Sequence, residues 1–160
     1  MRSSKSAKSS KDGKGGRSPS PTGVHPIGTV GLELSELDHI LTTQSPIGLA
    51  PDAVKAVKRS HSYLSDRLKK SDDPIYGVNT GFGKLANQRI SAEQLDTLQL
   101  NLIRSHSVGV GEPLAPEVVR LVLALKAGSL ARGASGVRQQ VVDMLLAVLN
   151  AGLVPFIPSQ

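Results

Sequence analysis

Tyr76 stands at the head of YGVNTGFG, residues 76–83, with glycines at 77, 81 and 83. The 160-residue chain has only two tyrosines, two phenylalanines and no tryptophan, yet Tyr76 and Phe82 both fall in this stretch. Aromatic rings ordinarily go to cores, where burying one stabilises the fold by about 1.5–3 kcal/mol. A phenol on a mobile, glycine-rich segment is better explained by a need for its hydroxyl.

Other chemistries fail on spacing or composition. A phosphate-cradling loop needs four residues between its first glycine and a Gly-Lys pair, followed by Ser or Thr. Here Gly83-Lys84 is followed by Leu85, and Val78 stands where the first glycine belongs. GFGKLA follows no convincing strand, so the dinucleotide fingerprint is not met either. The chain has no cysteine, which excludes disulfides, thiolate metal sites and cysteine nucleophiles. His61 has no second candidate ligand one helical turn away, so it reads as a packed histidine and no metal site is expected. His106 precedes SVGVGEPL, residues 107–114. Taken alone, that pattern is a helix ending through glycine, with Glu112-Pro113 in the turn.

Helices must position these residues. In APDAVKAVKRSHSYLSDRLKK, Pro51 suits a first helical position, and Val54, Val57, His61, Leu64 and Leu68 share one face. Ser91 and Gln94 have capping-box spacing ahead of a stripe at Leu95, Leu98 and Leu102. Pro116 opens another helix. A last one runs from about Val137, apolar at Val141, Met144, Leu145 and Val148, and stops at Gly152 with Pro155 beyond. Ser135 is spaced to cap it. A short strand is predicted at 29–33, but helical periodicity dominates and the fold class is all-α. Val154, Phe156 and Ile157 need something to pack against, and the helices carry more apolar surface than they can jointly bury. That excess predicts a partner, either more chain or more subunits.

The net charge of +6 is concentrated at one end. Residues 1–26 hold Arg2, Lys5, Lys8, Lys11, Lys14 and Arg17 against Asp12, six minus one, so the other 134 residues carry +1. Rich in Ser, Gly and Pro, this tail is predicted to be disordered, with a folded domain over 27–160. Its lysines have no interleaved aromatics for base stacking, which argues against nucleic acid as a partner. It has no secretory or mitochondrial pattern, and the apolar stretch 118–125 is broken by Arg120 and too short to span a membrane. A cytoplasmic location is expected.

YGVNTGFG, LQLNLIRSHSVGVGEPL, LKAGSLARGASGVR and VPFIPSQ, in that order, resemble successive blocks of the aromatic amino acid ammonia-lyases, most of all the histidine-directed ones. The resemblance runs from about residue 30 to residue 160. It implies the N-terminal helical part of an ammonia-lyase fold of the fumarase/aspartase-like superfamily. It also implies that Tyr76 is the base that removes a β-proton from a bound amino acid as ammonia leaves. Gly77, Gly81 and Gly83 would then be the loop glycines that allow closure, and His106 the residue facing the substrate's side chain. A free tyrosine, with a pKa of about 10, costs about 4 kcal/mol to deprotonate at neutral pH, so such a site must stabilise the phenolate. Histidine at 106 favours L-histidine, converted to trans-urocanate, over a phenyl substrate. A tyrosine ammonia-lyase or aminomutase is the alternative within the family. Outside it, the alternative is a non-catalytic helical interaction module with a basic, nucleic-acid-binding tail.

The family's electrophile is a methylideneimidazolone formed from an internal Ala-Ser-Gly. Ala134-Ser135-Gly136 has that composition but lies in a block upstream of the ring-forming one, and is expected to be structural. The ring-forming segment is expected just beyond residue 160, so the chain alone is expected to be inactive. The resemblance further implies a homotetramer with active sites shared between subunits.

Overall fold

Pro51 and Pro116 each open a helix, as their fixed φ and missing N–H predict, in a computed structural model that describes residues 23–43 and 45–160. The elements run β1 (His25–Ile27), α1 (Leu34–Thr43), β2 (Ile47–Leu49), α2 (Pro51–Lys70), a 3₁₀ turn (Gly83–Leu85), α3 (Ala92–His106), α4 (Pro116–Ala131) and α5 (Gln139–Asn150). The fold is mainly helical, as expected. Of the segment 1–26 assigned to a tail, residues 1–22 lie outside the described residues, while His25 and Pro26 belong to β1.

The strand expected at 29–33 is not formed. β1 instead pairs in parallel with β2, in the register His25↔Ile47, Pro26↔Gly48 and Ile27↔Leu49, with α1 as the crossover. Such short strands are held by tertiary contacts rather than by their own propensity. The side chain of Asn150, at the end of α5, acts as a further strand. Its Oδ1 accepts from Ile47 N at 2.8 Å and its Nδ2 donates to Ile47 O at 2.9 Å. Thr29 ties the chain after β1 to Asp52 in the first turn of α2, with both its N–H and its hydroxyl donating to Oδ2.

The core centres on α4, whose Val119, Leu123, Ala124, Ala127, Leu130 and Ala131 are buried against Ile27, Ile40, Ile47, Val57, Val142, Leu146 and Leu149. Small residues along α4 let its neighbours approach closely; a Cβ at Gly128 would stand 3.1 Å from Leu32. Arg120 interrupts the apolar run for a reason. Its guanidinium reaches the carbonyls of Leu149 at 3.3 Å and Ile40 at 3.4 Å, near the C-termini of α5 and α1, where cations are favoured.

On α5 the buried face is Val142, Leu146 and Leu149, not the stripe expected from Val141 and Met144, which are 41% and 66% exposed. Leu145 and Val148 lie at the margin of that face, partly buried. Gly152 ends this helix as expected, with φ +67° and its N–H on Leu149 O, while Leu153 N–H reaches Val148 O. The stripe of α3, Leu95, Leu98 and Leu102, is only half-buried. The capping box at its start does not form. Ser91 holds the Glu93 carboxyl below its usual range instead of capping the helix, and Gln94 N–H meets the Ser91 carbonyl. Exposed apolar side chains are plentiful on α3, α4, α5 and the following segment, with Ile103 at 65% and Phe156 at 72% exposure. No helix among the described residues is long and apolar enough to cross a membrane.

Candidate active site

The segment between α2 and α3 is built from turn-forming residues, and it carries the tyrosine. Two exposed ion pairs fasten its flanks, Arg67 to Asp73 at 2.7 Å and Arg89 to Asp72. Asp73's carboxyl is held below the usual carboxylate range, first by the Ser71 hydroxyl and then by the Arg67 charge. Thr80 and Arg89 form an antiparallel bridge, flanked by Gly81 N–H on Gln88 O at 3.0 Å and Ile90 N–H on Asn79 O at 2.9 Å. The tip of the loop is therefore tied across its base by backbone hydrogen bonds.

At the tip, Tyr76 is 65% exposed and meets Phe82 edge to face, with ring centroids 5.9 Å apart. The scarce aromatics thus pack on each other and not in the core. Gly77 and Gly83 take positive φ, +75° and +58°, which glycine adopts without the steric cost of a Cβ. Gly81 differs: it is buried and its N–H is committed to the ladder. Asn79, only 6% exposed, closes the turn, with Oδ1 accepting from Ile75 N at 2.6 Å and Nδ2 donating to Asp73 O at 3.1 Å. The sequence held a signal for this, since asparagine in a turn commonly bonds nearby backbone.

His106 is the last residue of α3 and is exposed. Its Nδ1 lies 2.8 Å from Leu102 O. Ser105 Oγ lies 3.1 Å from the same nitrogen. A proton on Nδ1 directed at the carbonyl, which can only accept, would leave Nε2 as an acceptor. After it, residues 109–114 run antiparallel beside 157–160. Val110 and Gln160 exchange hydrogen bonds at 2.7 and 3.0 Å, Ser159 N–H reaches Glu112 O, and Leu114 N–H reaches Ile157 O. This stretch is therefore more than a helix stop, because it pairs with the last residues of the chain. Gly109 is needed for the approach, as a Cβ there would stand 2.4 Å from Pro158 Cγ. Among the described residues no hydrogen bond or ring contact joins Tyr76 to His106.

Ala134-Ser135-Gly136 lies in the loop from α4 to α5, held against α2. Gly136 N–H donates to Ser60 Oγ at 3.0 Å, and His61 Nδ1–H donates to Gly136 O at 3.0 Å. His61 is thus a packed histidine, as expected. Ser135 itself is exposed and does not cap α5, which begins at Gln139 with Arg138 in the cap position and no side-chain cap bond. The expected cap is displaced because Gly136, at φ +67°, turns the chain onto α2 before the helix can start. Ser135→Ala is accordingly expected to change stability by no more than about 0.5 kcal/mol, and a chemical-denaturation midpoint shift equivalent to a lost cap would refute this placement.

Among the described residues no group of three His, Asp or Glu side chains could hold a metal ion. The sequence model of the family described as aromatic amino acid lyase matches residues 32–160, a span that contains Tyr76, His106 and Ser135. A histidine ammonia-lyase from Aromatoleum aromaticum is 48% identical over 129 residues, covering 81% of this chain and 24% of that protein. The structure of a histidine ammonia-lyase from Trypanosoma cruzi superposes with a TM-score of 0.74 at 36% identity, over 86% of this chain and 26% of that one. A tyrosine aminomutase from Streptomyces globisporus superposes with a TM-score of 0.77 at 28% identity, over 84% of this chain and 25% of that one. The chain spans about a quarter of the length of the curated relatives it matches.

Proposed function

We propose that this chain, which belongs to the aromatic amino acid lyase family, forms the N-terminal part of an enzyme that deaminates L-histidine non-oxidatively to trans-urocanate and ammonia. Tyr76 acts as the base. Its oxygen takes a proton from the substrate's β-carbon, the freed electron pair forms the Cα–Cβ double bond, and the Cα–N bond breaks to release ammonia. Exposure on a loop suits a group that must meet a substrate and then be covered, since closure excludes water from a proton transfer.

The observation that carries the substrate assignment is the contact of His106 Nδ1 with Leu102 O. With Nδ1–H on Leu102 O, Nε2 can accept a hydrogen bond from an imidazole N–H, which a phenyl ring lacks. A phenol O–H could donate to the same atom, and the similarity to tyrosine aminomutase favours that second reading. Histidine stands first because relatives carrying the histidine ammonia-lyase name reach 44–48% identity.

The electrophile of the family, a methylideneimidazolone, does not fit Ala134-Ser135-Gly136. Cyclisation requires the glycine nitrogen to attack the alanine carbonyl carbon, but the Gly136 N–H is engaged by Ser60, its carbonyl by His61, and Ser135 is exposed. These contacts support a ring formed by other residues, and with it a reading in which the 160 residues alone are inactive. The exposed apolar faces of α3, α4 and α5 are covered in a homotetramer built from complete chains, in the cytoplasm.

The complete enzyme, assayed with L-histidine, L-tyrosine and L-phenylalanine, is expected to release urocanate at the highest kcat/KM. The 160-residue chain should release none. His106→Phe is expected to lower the histidine-to-phenylalanine ratio of kcat/KM by at least about tenfold, as loss of a hydrogen bond to the substrate's side chain does. Preferential turnover of tyrosine would establish the second reading, and turnover by the chain alone would overturn the assignment of the ring to other residues.

A further inference from the structure

We propose that Asn79 is the positioning residue for Tyr76, fixing the turn from which the phenol projects; this rests on the reading of Tyr76 as the base. The Tyr76 hydroxyl has no hydrogen bond among the described residues, and its ring touches only the half-exposed Phe82 in a specific aromatic contact. What sets the position of its backbone is therefore the turn itself. Within that turn, residues 75–79, the buried side chain is that of Asn79, which adds its own hydrogen bonds to those of the backbone.

The Asn79 carboxamide behaves as two extra backbone groups. Its oxygen accepts from Ile75 N–H at 2.6 Å, immediately before Tyr76, and its nitrogen donates to Asp73 O at 3.1 Å. Its own N–H reaches Ile75 O at 3.2 Å, beside Val78 N–H at 3.0 Å. Its carbonyl accepts from Ile90 N–H at 2.9 Å, which joins the turn to the strand-like return before α3. Residues 75–79 thus form a closed turn that includes Tyr76, with Asn79 bonded on both sides. No other natural side chain offers an adjacent acceptor and donor at this reach. Aspartate retains the acceptor but sets an oxygen against the Asp73 carbonyl, and alanine leaves Ile75 N–H and Asp73 C=O without their partners.

The test compares Asn79→Ala and Asn79→Asp in the complete enzyme, each in the wild-type and Tyr76→Phe backgrounds, with thermal unfolding followed alongside. If Asn79 places the phenol, either variant lowers kcat by about 10–100-fold with KM nearly unchanged, as a displacement of about an ångström can. In the Tyr76→Phe background the same change should cost little more, because the oxygen being positioned is already absent. Asn79→Asp serves if the alanine variant does not fold, since it keeps the hydrogen bond to Ile75. A loss of equal factor in both backgrounds, or wild-type kcat in a folded variant, overturns the positioning role while leaving Tyr76 as the base. Wild-type kcat in Tyr76→Phe itself removes the base reading and this inference with it, a result distinct from either of those.

Discussion

Tyr76→Phe in the complete enzyme is expected to lower kcat by about 10²–10⁴-fold, the usual contribution of a positioned general base, with KM little changed. That range corresponds to about 3–5 kcal/mol of barrier. The substitution deletes one oxygen and keeps the ring, so the edge-to-face contact with Phe82 survives. The oxygen makes no hydrogen bond among the described residues, and the ring is mostly exposed, so the folded state should lose almost nothing. An effect on kcat without an effect on stability is the signature of a group that works only in the transition state. Steady-state kinetics with L-histidine, paired with a thermal melt, separate the two. If Tyr76 merely plugged the loop, the variant would retain wild-type kcat, and the aromatic pair at the loop tip would have no catalytic purpose.

The parts of this molecule that could be read from sequence are those governed by local backbone chemistry. Proline at the first turn placed the starts of α2 and α4, and Gly152 placed the end of α5, because those residues carry their own φ preferences. The surplus of apolar surface was also visible, and Phe156, Met144 and Ile103 bear it out. What could not be read depended on distant partners. The three-residue strands β1 and β2 exist because Ile27 and Ile47 are buried against α4 and α5, and Asn150 supplies hydrogen bonds from more than a hundred residues away. The buried face of α5 was misplaced for a related reason. Val141 and Val142 are equally apolar, and which one turns inward depends on where α4 lies.

The site shows the same division. Tyr76 and His106 drew attention through their residue types and their place in family-like blocks, yet their hydrogen-bonding states could not be read. That Nδ1 of His106 lies against the helical carbonyl of Leu102 depends on the geometry of the helix end. The spacing of Ser135 relative to the next helix resembled a cap. The structure assigns the work in that loop to its glycines, which meet α2 through contacts some 75 residues apart in the chain.

Gly133→Ala is expected to be the most destabilising single-methyl change in the described residues, at roughly 2–5 kcal/mol. Gly133 has φ +68°, and an alanine held in that region costs about 1–2 kcal/mol from the clash of its Cβ with the following carbonyl. The new methyl would also have nowhere to go. Its carbon would stand 2.5 Å from the backbone carbon of Ala56, 2.6 Å from that residue's Cβ and 2.7 Å from its oxygen. Those are main-chain atoms of α2 and a buried methyl, not the end of a flexible side chain, so relief requires the helix and the loop to separate. Overpacking of this kind typically adds about 1–3 kcal/mol. Separation would in turn pull Gly136 away from Ser60 and His61, opening two further hydrogen bonds. Gly152→Ala provides the control. It has nearly the same φ, +67°, but no atom within 4 Å of the added carbon, so it should show the conformational cost alone. Equilibrium denaturation of both variants measures the difference. Equal losses at the two positions would mean that the loop does not press on α2 as described, and that Ala134-Ser135-Gly136 is free to adopt another conformation.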